Sequence, residues 1–105
     1  MSNQEILNKI RTAIISQDTS AQAFLFGSRA RNTNKPNSDW DILILVNNPV
    51  VSNEIEDQFR DPLYDIELES GQIISILIYP KEIWNNNMKV SPLFHTIKKE
   101  GILLA

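Results

Sequence analysis

Gly27-Ser28-Arg29-Ala30-Arg31-Asn32, then six residues through Ser38, then Asp39-Trp40-Asp41-Ile42-Leu43-Ile44-Leu45-Val46 form the stretch that decides the reading of this chain. Alternate residues of a strand share a face, so Asp39, Asp41, Leu43 and Leu45 point one way and Trp40, Ile42, Ile44 and Val46 the other. Both faces turn apolar beyond Asp41, as expected of a central strand covered on both sides. Only its start carries acids. Two carboxylates two positions apart on a strand stand roughly 6–7 Å from each other at the backbone, and they repel unless a cation lies between them. Hard oxygen ligands suit Mg²⁺ or Mn²⁺, and Mg²⁺ is usually held by one or two carboxylates together with substrate phosphates. Ahead of the acids, Gly27 permits a tight turn and close approach of a backbone or a phosphate. A helix starting at Ser28 would offer free N–H groups and its positive dipole end to an anion. The Ser28 hydroxyl and Arg29 or Arg31 would add hydrogen bonds. An anion cradle beside paired carboxylates suits a nucleoside triphosphate with its metal, and the implied chemistry is in-line displacement at phosphorus.

Working outward, Ser2-Asn3-Gln4-Glu5 reads as a capping box, and Ile6, Leu7, Ile10 and Ile14 form one helical stripe, which predicts a helix over about Asn3–Ser16. Gln17–Ser20 is a turn, and Ala21–Phe26 a short buried strand. Ser28–Ser38 carries two arginines, a lysine, three asparagines and Pro36, a composition excluded from the core. After a loop at Asn47–Val51, acids at Glu54, Glu56 and Asp57 suit a first helical turn. Ile55, Phe59, Leu63 and Ile66 continue its apolar stripe, with Asp61-Pro62 restarting or kinking the helix and Gly71 ending it. Ile73–Tyr79 reads as a second fully buried strand ended by Pro80, followed by a helical turn or two at Lys81–Asn87. Ser91-Pro92 begins a last helix to about Glu100, which Gly101 stops. Helix, strand, strand, helix, strand, helix is an α/β order, a small sheet flanked by helices.

With 105 residues, 42% of them hydrophobic and 22% charged, the chain is expected to form one domain over 1–105. The absence of cysteine excludes disulfides, thiolate zinc sites and a cysteine nucleophile. The longest apolar run, near Ile73–Tyr79, is far shorter than the ~20 residues a membrane span needs. Met1–Glu5 lacks the start of a signal peptide, so the cytoplasm is the expected compartment. A net charge of −3 argues against broad binding to a nucleic-acid backbone.

Gly27-Ser28-Arg29-Ala30-Arg31-Asn32 followed by Ser38-Asp39-Trp40-Asp41-Ile42-Leu43-Ile44 resembles the signature of the minimal nucleotidyltransferases of the DNA polymerase β-like superfamily. The spacing matches without a gap. Ile73–Trp84 is similar to that family's third core strand and its exit, and His95–Gly101 to its closing helix, so the resemblance covers nearly the whole chain. It implies a mixed sheet with flanking helices, the palm-like nucleotidyltransferase fold, binding ATP or another nucleoside triphosphate with Mg²⁺ and transferring a nucleoside monophosphate. By position, Gly27 and Ser28 would hold the β- and γ-phosphates, Asp39 and Asp41 would be catalytic metal ligands, and Arg29 and Ser38 would complete the nucleotide site. It also implies a partner, since such proteins are often paired with a small helical HEPN-type protein, the transferase acting as antitoxin and adenylylating it.

Two positions depart from the family pattern. Asn32 replaces a common glycine, a mild change because asparagine tolerates a left-handed backbone. Ser75 stands where the superfamily places a third carboxylate, and serine cannot serve as an anionic ligand or carboxylate base. Asp65 and Glu67 fall on the preceding helix and are poor substitutes. A missing acid would slow the chemistry without removing nucleotide binding, which leaves open a nucleotide-binding module that works by docking on a helical partner. Trp40 reads as a core residue, His95 as a structural or surface one, and Arg31 as solvated. Exposed apolar area on the helices would serve a homodimer or a partner equally well.

Overall fold

In the computed structural model, which describes Met1–Ala105, Ser2 caps α1 (Asn3–Gln17) from both directions: its hydroxyl accepts from Glu5 N at 3.2 Å while its own N–H donates to Glu5 Oε1 at 3.4 Å. Asp18 shapes the turn that follows, its Oδ1 accepting from Ser20 N and Ser20 Oγ at 2.9 and 2.6 Å. The chain then runs through β1 (Gln22–Phe26), the single turn α2 (Gly27–Ala30), β2 (Trp40–Val46), α3 (Asn53–Ser70), β3 (Ile74–Pro80), α4 (Lys81–Asn87), α5 (Pro92–Glu100) and β4 (Ile102–Leu103). The sheet is mixed, ordered β3-β2-β1-β4, with β2 parallel to β3 and β1 antiparallel to both β2 and β4.

The alternation read along Asp39–Val46 separates two apolar layers. Trp40, Ile42, Ile44 and Val46 join Ala23 and Leu25 under Ile6, Ile10 and Ile14 of α1 and Phe59, Leu63 and Ile66 of α3. Leu43 and Leu45 face the other way, against Trp84 of α4 and Phe94 and Ile97 of α5. Tyr79, Trp84 and Phe94 stack in series there, with centroids 5.5 and 5.3 Å apart. Ile42 through Val46 are all buried, and each such side chain contributes about 1.5–3 kcal/mol of transfer free energy. The α4–α5 layer covers Leu43 and Leu45. Where β2 and β3 begin, Asp39 and Ser75 are exposed and Asp41 is half-buried.

Several expectations are corrected. Ile73–Tyr79 is not fully buried: α3 carries the chain past β2 to the sheet's edge, and Ile73 and Leu77 remain 59% and 36% exposed. An apolar run cannot reveal which side of a central strand its crossover delivers it to. The strand β4 was not expected, because two residues leave no period to read. The helix does not restart at Pro62, since α3 runs on through it. Gly71 ends α3 in the left-handed conformation at φ +72°. Gly101 ends α5 for a different reason: its φ is an ordinary −63°, and a Cβ there would crowd the Ile97 carbonyl and side chain.

Candidate active site

Three strand ends assemble the site. The β1–β2 register pairs Phe26 with Asp41, which brings the following Gly27 beside that carboxylate. Gly27 adopts φ +75°, and a Cβ on it would collide with Asp41 Oδ2 and lie 3.1 Å from Asp41 Cγ. Glycine is therefore demanded twice, by its backbone and by the space the carboxylate takes. Beyond it, α2 closes with Arg31 N donating to Gly27 O at 3.2 Å and Thr33 N to Ser28 O at 2.9 Å. Asn32 takes the left-handed turn at φ +58°, as its side chain tolerates. From the other side, the parallel β2–β3 register pairs Asp41 with Ser75. Ser75 Oγ donates to Asp39 Oδ2 at 3.3 Å, so both acids are reached from one face of the sheet.

Arg29, expected as a triphosphate contact, is instead buried at 8% exposure and engaged by the protein itself. Its Nε and Nη2 donate to Ser38 O at 3.0 and 2.8 Å, and Nη2 also reaches Pro36 O at 3.3 Å and Gln72 Oε1 at 3.0 Å. Its Cζ lies 4.0 Å from the Trp40 ring centroid, and Trp40 Nε1 donates to the same Gln72 Oε1 at 2.6 Å. Burial pulls the guanidinium pKa down and the Asp39 charge pushes it back. The polar loop thus holds one core residue that its composition concealed, and the clamp anchors the carbonyl next to Asp39. Gln72 gave no signal in the sequence, being a lone glutamine after a glycine. The Ser38 hydroxyl accepts from Lys35 N at 2.9 Å within the loop. Arg31 is exposed and pairs with Glu100 Oε2 at 3.4 Å.

Burial, followed by repulsion from Asp39, holds the Asp41 carboxyl above its ordinary value of 3.8, with Arg31 partly opposing. A carboxyl raised on folding binds its proton more tightly in the native state. Its stabilising contribution is full below pH 3.8 and disappears as pH rises through the raised value. At neutral pH the ionised Asp41 is accordingly a cost to the fold. Asp41→Asn is expected to melt at a higher temperature than the unchanged protein at pH 7, with the gap closing as pH falls toward 3.8. Melting curves across that range check this, and an unchanged or lower melting temperature at pH 7 contradicts it.

No third His, Cys, Asp or Glu joins Asp39 and Asp41. Glu67 is spent on Ile74 N at 3.0 Å, and Asp65 lines a groove of about 380 Å³ between α1 and α3, on the other face of the sheet. The donor set is two hard carboxylates, one partly desolvated and repelled by the other. It fits a Mg²⁺ ion that takes its remaining ligands from phosphates and water. None of the clefts in the surface is lined by either acid, so a ligand here would lie on an open face.

Residues 7–99 match the nucleotidyltransferase domain family. A solved structure described as a toxin-antitoxin with AMP-PNP superposes with a TM-score of 0.67 at 18% identity, covering 94% of this chain and 72% of that one. The mixed sheet and its helices thus have the nucleotidyltransferase fold. No curated protein matches the sequence. No helix is long and apolar enough to cross a membrane.

Proposed function

The chain belongs to the nucleotidyltransferase domain family, and from that premise we propose that it binds Mg²⁺-ATP at Gly27, Ser28, Asp39 and Asp41 and transfers AMP to a hydroxyl of a small helical HEPN-type partner, as the antitoxin of a toxin-antitoxin pair. The observation that carries the reading is the contact between turn and acids. Gly27 has no side chain because Asp41 occupies its space, so a phosphate received by the turn is delivered directly to the carboxylates. The N–H groups of α2 and the Ser28 hydroxyl face the β- and γ-phosphates in this reading. Asp39 and Asp41 would hold the Mg²⁺, which stabilises charge on the attacking and leaving oxygens when bound. Arg29 serves by fixing Ser38 and hence the height of Asp39. The likeness in fold to a toxin-antitoxin with AMP-PNP supports both the nucleotide and the paired system.

One observation favours a second reading. With Ser75 beside Asp39 and no third acid in reach, the protein would bind the nucleotide and dock on its partner while transferring slowly or not at all. Titration calorimetry with ATP, with and without Mg²⁺, tests the shared premise. Affinity is expected to rise about tenfold or more with Mg²⁺, near 1.4 kcal/mol, and Asp39→Asn/Asp41→Asn to lose that gain. Equal binding by the double variant overturns the site. Incubation with the partner and ATP then separates transfer from docking.

A further inference from the structure

We infer that the protein is its own acceptor: it transfers a nucleoside monophosphate to the Ser75 hydroxyl and thereby closes its own site. The inference rests on the nucleotide site proposed above and adds a second acceptor beside the partner's hydroxyl, one whose modification ends transfer to the partner. The order β3-β2-β1 sets out Ser75, the Asp39–Asp41 pair and the Gly27-Ser28 turn in sequence across three adjacent strands. Neighbouring strands lie about 4.8 Å apart, so the turn and Ser75 flank the acids on opposite sides. In-line displacement requires the same order, with the entering oxygen and the leaving group on opposite sides of the phosphorus. A triphosphate whose β- and γ-phosphates rest on the turn puts its α-phosphorus over the acids, with Ser75 on the entering side.

The serine is also presented for the task. It is exposed on the open part of that face, and its Oγ is aimed into the site by the bond to Asp39 Oδ2 at 3.3 Å. The hydroxyls of Ser28 and Ser38 lie on the turn and its loop, not on β3. Tyr79, the other hydroxyl on this side of β3, is four positions further along and stacks on Trp84. A side chain already held beside the reacting atom needs no bimolecular encounter, which lowers the barrier.

In the step, a bond forms between Ser75 Oγ and the α-phosphorus, and the bond from that phosphorus to the α,β-bridging oxygen breaks. The electron pair leaves with pyrophosphate, and the hydroxyl proton passes to the Asp39 carboxylate and on to solvent. The product is a phosphodiester on Ser75. It covers the two acids, so each chain reacts once.

Intact-mass spectrometry of the purified protein after incubation with ATP and Mg²⁺ tests this, with calorimetry of Mg²⁺-ATP binding on the same preparation. The expected result is a gain of one AMP per chain, mapped by peptide sequencing to Ser75. It should be absent without Mg²⁺, lost in Ser75→Ala and kept in Ser75→Thr. Binding of Mg²⁺-ATP with no gain in mass, or with AMP on another residue, overturns the inference and leaves the nucleotide site standing. No binding at all overturns the nucleotide site and this inference with it.

Discussion

Replacing Arg29 with alanine is expected to destabilise the protein by about 3 kcal/mol, or roughly 15 °C in melting temperature. The guanidinium is buried and satisfies Ser38 O, Pro36 O and Gln72 Oε1 together while lying over the Trp40 ring. Hydrogen bonds from a charged donor are worth about 1.5–3 kcal/mol, and an Arg–Trp contact about 0.5–2 kcal/mol. Truncation removes both and strands the acceptors. Arg29→Lys should recover little of the loss, because an ammonium cannot reproduce the planar fork that reaches Ser38 through two nitrogens. The same change should loosen the carbonyl next to Asp39 and weaken Mg²⁺-ATP binding. Thermal melts of both variants, followed by calorimetry, check the two effects. If Arg29→Ala melts within a few degrees of the unchanged protein, the residue is free for a ligand and the clamp is not holding the loop.

Gly27→Ala should cost about 2–4 kcal/mol and abolish metal-dependent nucleotide binding. A left-handed backbone costs a residue with a Cβ about 1–2 kcal/mol. The remainder comes from the collision with Asp41 Oδ2, which must rotate or move with its strand. Gly71→Ala is the matched control. Its φ of +72° imposes the same backbone cost, and its Cβ would meet nothing within 4 Å. The excess of Gly27→Ala over Gly71→Ala therefore measures the collision, and it should vanish in an Asp41→Gly background, as a double-mutant cycle can show. Equal costs at the two glycines would mean that Asp41 does not press on the turn.

Much of this molecule was legible along the chain because its signals are local. The Ser2–Glu5 capping box, the 3.6-residue stripes of α1 and α3 and the left-handed Gly71 each depend on residues within one or two turns of each other. The period of two along Asp39–Val46 likewise assigned Trp40, Ile42, Ile44 and Val46 to one layer and Leu43 and Leu45 to the other. Asn32 adopts its positive φ for an equally local reason.

What tertiary structure alone decided lies between residues far apart in sequence. Arg29 belongs to a polar loop by composition, and its burial follows only from meeting Trp40 and Gln72, the latter 43 positions away. The apolar run of β3 reads as interior, yet the crossover through α3 delivers it to the edge, where only one flank is paired. Ser75 reads as a lost acid, and it takes the parallel register to place its hydroxyl on Asp39, 36 positions back. Period and capping are properties of neighbouring residues, so they can be read along the chain. Register, edge and clamp are set by which surfaces the whole chain buries together, so only the folded structure could decide them.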